Sequence, residues 1–161
     1  MLASKEVKRH LKNMTWALGE AEEELASGAP RQAYNKVFLA WREAIAYIAA
    51  LLLEDPRLSS MVRDALTRLP VPAYEDGEVR VTTSNAVKTL RALLRLCTAA
   101  GCDKRIVEAL RLLERLRDTA YKLHTTFYEG PEHAGFEDEK EATEAAKTIL
   151  EKVRDALETL Q

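Results

Sequence analysis

The chain has 161 residues, 47% hydrophobic and 31% charged, which excludes a disordered polymer and suits one globular domain spanning residues 1–161. Lys and Arg total 24 against 26 Asp and Glu, a formal charge of −2, so no global basic surplus equips it for nonspecific nucleic-acid binding; a local patch remains open. The longest uncharged apolar run, Ala44 to Leu53, is far shorter than the ~20 residues of a membrane span and excludes a membrane role.

Five Pro and six Gly interrupt a sequence rich in Ala, Leu, Glu, Lys and Arg, so the expected fold class is all-α. The expected architecture is an up-down bundle of four main helices plus a short fifth. The first segment runs from an N-cap at Ser4 to about Ser27 and ends at Gly28. Its seam is Val7, Leu11, Met14, Leu18, Ala21 and Leu25, widened by Trp16 and Ala17. The second starts at Pro30, continues to about Glu54, and is apolar nearly all round by its end, which predicts a central position. Trp16 and Trp41 are read as core, and His10 and His133 as solvent-facing.

After Asp55-Pro56 a short helix is predicted over 58–69. Residues 70–83 read as a loop insertion, with a small β-hairpin about Asp76-Gly77, that would serve as a binding or dimer element. A helix from about Ser84 to Ala100 turns Val87, Leu90, Leu94 and Cys97 inward and stops at Gly101. The next runs from Asp103 to about Tyr128 and stops at Gly130-Pro131. The last spans roughly 137–160, with the seam Ala142, Ala146, Ile149, Val153, Ala156 or Leu157, and Leu160.

The N-terminal Met1-Leu2-Ala3-Ser4-Lys5-Glu6 carries no apolar leader region, so the expected location is the reducing cytoplasm. Cys97 and Cys102 are too few for a zinc site and read as buried small hydrophobes; a disulfide across Gly101 is the minority reading. No metal and no cofactor is expected. Three Asn and two Gln among so many charges hint at a thermophile.

The helix predicted over 103–128 carries more than its fold requires. Leu112, Leu113, Leu116, Ala120, Leu123 and Phe127 form one apolar stripe, which faces the core. Beside it runs a second line: Ile106, Leu110, Arg117, Tyr121, His124 and Tyr128. Arg117 and His124 are seven apart, so they share a face at about 10.5 Å axial separation. A phosphate between them would meet a bidentate clamp in Arg117 and an acid or base in His124. Metal-independent RNA cleavage requires those parts. Lys88, Arg91, Arg95, Lys104, Arg105, Arg111 and Arg115 would add a basic surface nearby, or a solvated face with Glu partners.

The line RLRDTAYKLHTTFYEG, Arg115 to Gly130, resembles the HEPN superfamily, whose motif is Arg, a polar residue, a few more residues and then His. Its KLHTTFYEG part is similar to crenarchaeal PaREP-type HEPN-like proteins, and the opening hairpin and closing helix resemble the family's as well. The resemblance implies catalytic roles for Arg117 and His124, and binding roles for Asp118, Tyr121 and Tyr128. It also implies a homodimer with a cleft at the symmetric interface, and RNA or a nucleotide as ligand. Some members are metal-independent endoribonucleases. Others bind nucleotides or partner a nucleotidyltransferase as toxin and antitoxin. Here six residues separate Arg117 from His124, the longest spacing of the pattern, and Asp118 stands where the nucleases commonly have Asn. The alternative is a noncatalytic interaction or structural module whose second stripe is a subunit contact.

Overall fold

The computed structural model describes residues 4–161 and contains six α-helices and one small hairpin. Met1–Ala3, half of the stretch read for a leader, lie outside the described residues. In chain order the elements are α1 (Lys5–Ala26), α2 (Pro30–Leu53), α3 (Ser59–Thr67), β1 (Tyr74–Glu75), β2 (Glu78–Val79), α4 (Ala86–Ala100), α5 (Lys104–Glu129) and α6 (Glu139–Leu160). The fold class is all-α. The described residues form six helices, one more than the expected four plus a short fifth, and each of the six helical segments predicted in chain order is a helix of its own.

Side-chain caps set several boundaries. Ser4 accepts from the amide of Val7, Asp103 from Arg105 and Asp138 from Glu141. α2 is the central element, with Tyr34, Phe38, Trp41, Ile45, Ile48 and Leu52 fully enclosed among the other helices. The Trp41 indole N–H donates to the Leu113 carbonyl of α5 at 2.9 Å, so the largest core side chain leaves no orphan donor.

The buried stripe of α1 is Val7, His10, Met14, Ala17, Leu18 and Ala21. Two expectations fail there. His10 is only 3% exposed and not solvent-facing: its Nδ1 lies 2.6 Å from Glu43 and its Nε2 3.3 Å from Glu6, and these carboxylates supply the partners that burial demands. Trp16 is 51% exposed and not core, because two positions beyond Met14 is about 200° round the helix; the Lys36 ammonium lies 5.6 Å from its ring centroid.

Tyr74 pairs with Val79 and Glu75 with Glu78, and Asp76 and Gly77 both adopt positive φ, the two-residue turn that suits an antiparallel hairpin. The insertion is bound to the bundle. Glu6 accepts from the Val79 amide, Arg9 donates to the Val79 carbonyl, and Ala73 and Val79 are buried. Asn85, also buried, closes the segment by donating to the carbonyls of Arg80 and Pro72 and accepting from Thr82.

The α4 face turned inward is Ala86, Thr89, Leu90, Leu93 and Cys97, with Val87 and Leu94 only half-buried. Cys97 and Cys102 are disulfide-bonded, which overturns their reading as free thiols. Gly101 takes left-handed φ, and the amides of Gly101 and Cys102 both donate to the Cys97 carbonyl, folding Cys102 back over the helix end with the two Cα atoms 4.8 Å apart.

Candidate functional site

On α5, Leu113, Leu116, Ala120 and Leu123 are buried against the core, while Leu112 and Phe127 at the ends of the predicted stripe are half-buried. The second line divides along the helix. Leu110 is fully buried, Ile106, Arg117, Tyr121 and His124 are half-buried, and Tyr128 is 67% exposed.

Arg117 and Tyr121 line an open groove of about 560 Å³ between α4, α5 and the turn after Gly130. Arg91, Lys122 and His133 add further nitrogen-bearing groups, and Asp118 stands at its edge, 84% exposed. Arg117 is held by Glu114 at 2.9 Å and by Asp118 at 3.1 Å; Arg91 reaches the same Glu114 oxygen at 3.9 Å. Glu114 therefore draws two guanidinium groups to one wall. The other cations of the predicted basic surface, Lys88, Arg95, Lys104, Arg105, Arg111 and Arg115, are all exposed. His133 is solvent-facing, as expected.

Tyr121 is the divider. Its hydroxyl donates to the Thr83 carbonyl at 2.7 Å, and its ring meets Phe38 and Trp41 edge-on. Burial pushes the phenol up from its usual range, opposed by the charge of Arg42.

His124 lies on the far side of Tyr121 and does not share the groove. Its ring stacks on Phe38 with centroids 4.4 Å apart and meets Tyr128 edge-on at 5.2 Å. Nδ1 is buried with no hydrogen-bond partner among the described residues, which leaves Nε2 as the nitrogen facing outward. Burial lowers the pKa of the imidazole, and the Arg42 charge lowers it further. No hydrogen bond joins Arg117 to His124; the face they share is continuous only through Tyr121.

Arg42 and Phe38, one turn apart on α2, pack against this face outside the groove, and the α5 periodicity does not point to them. Nη1 of Arg42 donates to the Thr83 hydroxyl at 3.2 Å, and the guanidinium lies over the Phe38 ring at 5.5 Å. Its Nε is buried without a hydrogen-bond partner among the described residues. Burial lowers its pKa, yet it stays a cation at ordinary pH. The pair Arg42-Glu43, the charged interruption of the apolar run from Val37 to Leu53, was the available signal.

Among the described residues, no three His, Cys, Asp or Glu side chains come together as metal ligands. The site offers cations, hydroxyls and aromatic faces. No helix is long and apolar enough to cross a membrane.

Residues 9–150 match the model of the archaeal PaREP1/PaREP8 family. The chain belongs to that family. The match takes in α2, the hairpin, α4 and α5 entire, so every residue of the site lies within the PaREP1/PaREP8 region. No curated protein and no solved structure matches this PaREP1/PaREP8 member.

Proposed function

We propose that this PaREP1/PaREP8 protein is a single HEPN-like helical unit that dimerises and binds the phosphate of RNA or a nucleotide on the α5 face marked by Arg117 and His124. The observation that carries the reading is the groove beside Tyr121, where Arg91, Arg117 and Lys122 stand against one carboxylate-bearing edge. An oxyanion entering there meets guanidinium groups already oriented by Glu114 and Asp118. The resemblance of Arg115 to Gly130 to the HEPN motif supports the same choice of ligand.

The catalytic form of this reading is a metal-independent endoribonuclease. In it a neutral His124 would take the proton of a 2′-hydroxyl as that oxygen attacks the adjacent phosphorus, and Arg117 would balance the charge gathering on the phosphorane. The P–O5′ bond would then break with the 5′-oxygen taking a proton from water or from the imidazolium so formed, leaving a 2′,3′-cyclic phosphate. The lowered imidazole pKa supports the base role. A second copy would bring another Arg117–His124 face opposite, and a nucleotidyltransferase partner would place the protein in a toxin–antitoxin pair. RNA cleavage in EDTA that disappears in His124→Ala is the expected result for the nuclease form. Cleavage that persists in that variant rejects it.

A second reading is favoured by one observation. Tyr128 projects into solvent beside Phe127 and His124, as an interface aromatic would. Here the stripe is only a subunit contact, and Tyr128→Ala dissociates the dimer while wild-type protein ignores RNA.

A further inference from the structure

Arg42 differs from the chain's other arginines. Arg9, Arg57, Arg68, Arg80, Arg91, Arg105, Arg117 and Arg154 each have a carboxylate within ion-pairing distance. Arg31, Arg63, Arg95, Arg111 and Arg115 have none within that distance among the described residues but are exposed, where water solvates them. Arg42 is half-buried and has no carboxylate within ion-pairing distance among the described residues, although the charge of Glu43 still acts on it. Its sequence neighbour Glu43 is occupied with His10.

Desolvating a cation with no directly paired anion is costly, and the Phe38 face, the Thr83 hydroxyl and the more distant Glu43 charge offset only part of that cost. Arg42 and His124 both contact the Phe38 ring, and the Arg42 charge reaches the imidazole. A positive potential with unused donors, held by a rigid helix, is a prepared seat for an oxyanion.

Resting on the reading above, we infer that Arg42 is the second phosphate-holding cation of the site, binding a phosphate oxyanion against His124 while Arg117 anchors the other side of Tyr121. The ligand then spans the face. One phosphate lies in the Arg117 groove, and another, or the same group in a smaller ligand, sits at the Arg42–His124 end. Arg42 and His124 share the Phe38 ring, so an anion held by Arg42 lies against the imidazole; burial first, and the Arg42 charge second, favour the neutral ring, and the anion offsets the second of these. The shared chemistry is the phosphate; a phosphodiester chain and a free phosphomonoester are its possible sources.

The test is titration of the full-length chain with a single-stranded oligoribonucleotide, with adenosine monophosphate and with inorganic phosphate. NMR follows the Arg42 and Arg117 Nε–H signals and the His124 ring. Affinities are measured in parallel for wild type, Arg42→Gln, Arg42→Lys and Arg117→Ala. Expected are movement of the Arg42 and His124 signals, a rise in the His124 pKa with ligand, and binding weaker by at least about tenfold in Arg42→Gln. Arg42→Lys, which keeps the charge but not the fork, should fall between.

Response to the oligonucleotide alone assigns the phosphodiester source, and response to all three assigns the bare phosphate; Arg42 dependence is expected in both. If Arg117→Ala loses binding while Arg42→Gln binds like wild type, or if only the Arg117 signal moves, the role of Arg42 is overturned and the reading above stands. If wild type binds none of the three, both fall. Should Arg42→Gln fail to fold, the wild-type Arg42 and His124 signals decide alone.

Discussion

At the scale of single residues, two histidines define opposite uses of the same side chain. His124 is placed where its neutral form is favoured, by burial and by the nearby Arg42 charge. The folded state therefore holds the His124 proton less tightly than the unfolded chain, whose imidazole keeps its ordinary value near 6.5. The unfolded chain binds more protons in that window, so stability should fall as pH drops through about 6.5 and level off below the folded pKa. Denaturant melts from pH 8 to pH 5 should show this slope, and His124→Gln should flatten its His124 share. An unchanged slope in that variant would assign it to other groups. His10, by contrast, sits between Glu6 and Glu43 and joins α1 to α2. Replacing it with Ala strands the partly buried Glu43 carboxylate, while Glu6 keeps Arg9 and the Val79 amide, at a cost of about 2 kcal/mol or a melting temperature lower by about 4–8 °C. A calorimetric loss of less than about 0.5 kcal/mol would mean that water replaces the imidazole freely. The burial of His10 was legible in the sequence, since it falls on the stripe of Met14, Ala17 and Ala21. What hid it was residue type: histidine reads as polar until its carboxylate partners, 4 and 33 positions away, are known.

Elements and their ends follow more directly from local chemistry. The caps at Ser4 and Asp103 and the stops at Gly101 and Gly130 fall where side-chain acceptors and glycine put them. Asp76-Gly77 likewise makes its hairpin, although the insertion's attachment to α1 through Glu6 and Arg9 depends on residues some seventy positions away. The disulfide was within reach of the same logic, because a left-handed glycine between Cys97 and Cys102 turns the chain back on the helix end. Compartment chemistry outweighed geometry in that reading. A cross-link closing so short a loop contributes about 2 kcal/mol by its effect on the unfolded chain. Thermal melts with and without reductant should differ accordingly, and Cys97→Ser with Cys102→Ser should melt like the reduced protein. Identical melts under both conditions would contradict a bonded pair in solution.

At the scale of the whole molecule, α2 decides the arrangement. It packs against the other helices, and its Phe38 and Arg42 complete a candidate site whose remaining members lie on α4 and α5, in the segment before α4 and in the turn after Gly130. Periodicity located the second stripe of α5 from its own residues. It could not identify what that stripe meets, because the answer comes from a helix some eighty positions upstream. Nor could spacing reveal that Tyr121 separates Arg117 from His124, since the rotamers follow from Thr83, Glu114 and Phe38. The central claim is that this face holds phosphate. Equilibrium binding of a single-stranded oligoribonucleotide in EDTA, for wild type, Arg117→Ala and His124→Ala across a salt series, tests it most directly. Phosphate recognition predicts salt-sensitive wild-type binding that weakens by about tenfold in Arg117→Ala and less in His124→Ala. Equal binding by all three proteins, or none by wild type, would contradict it.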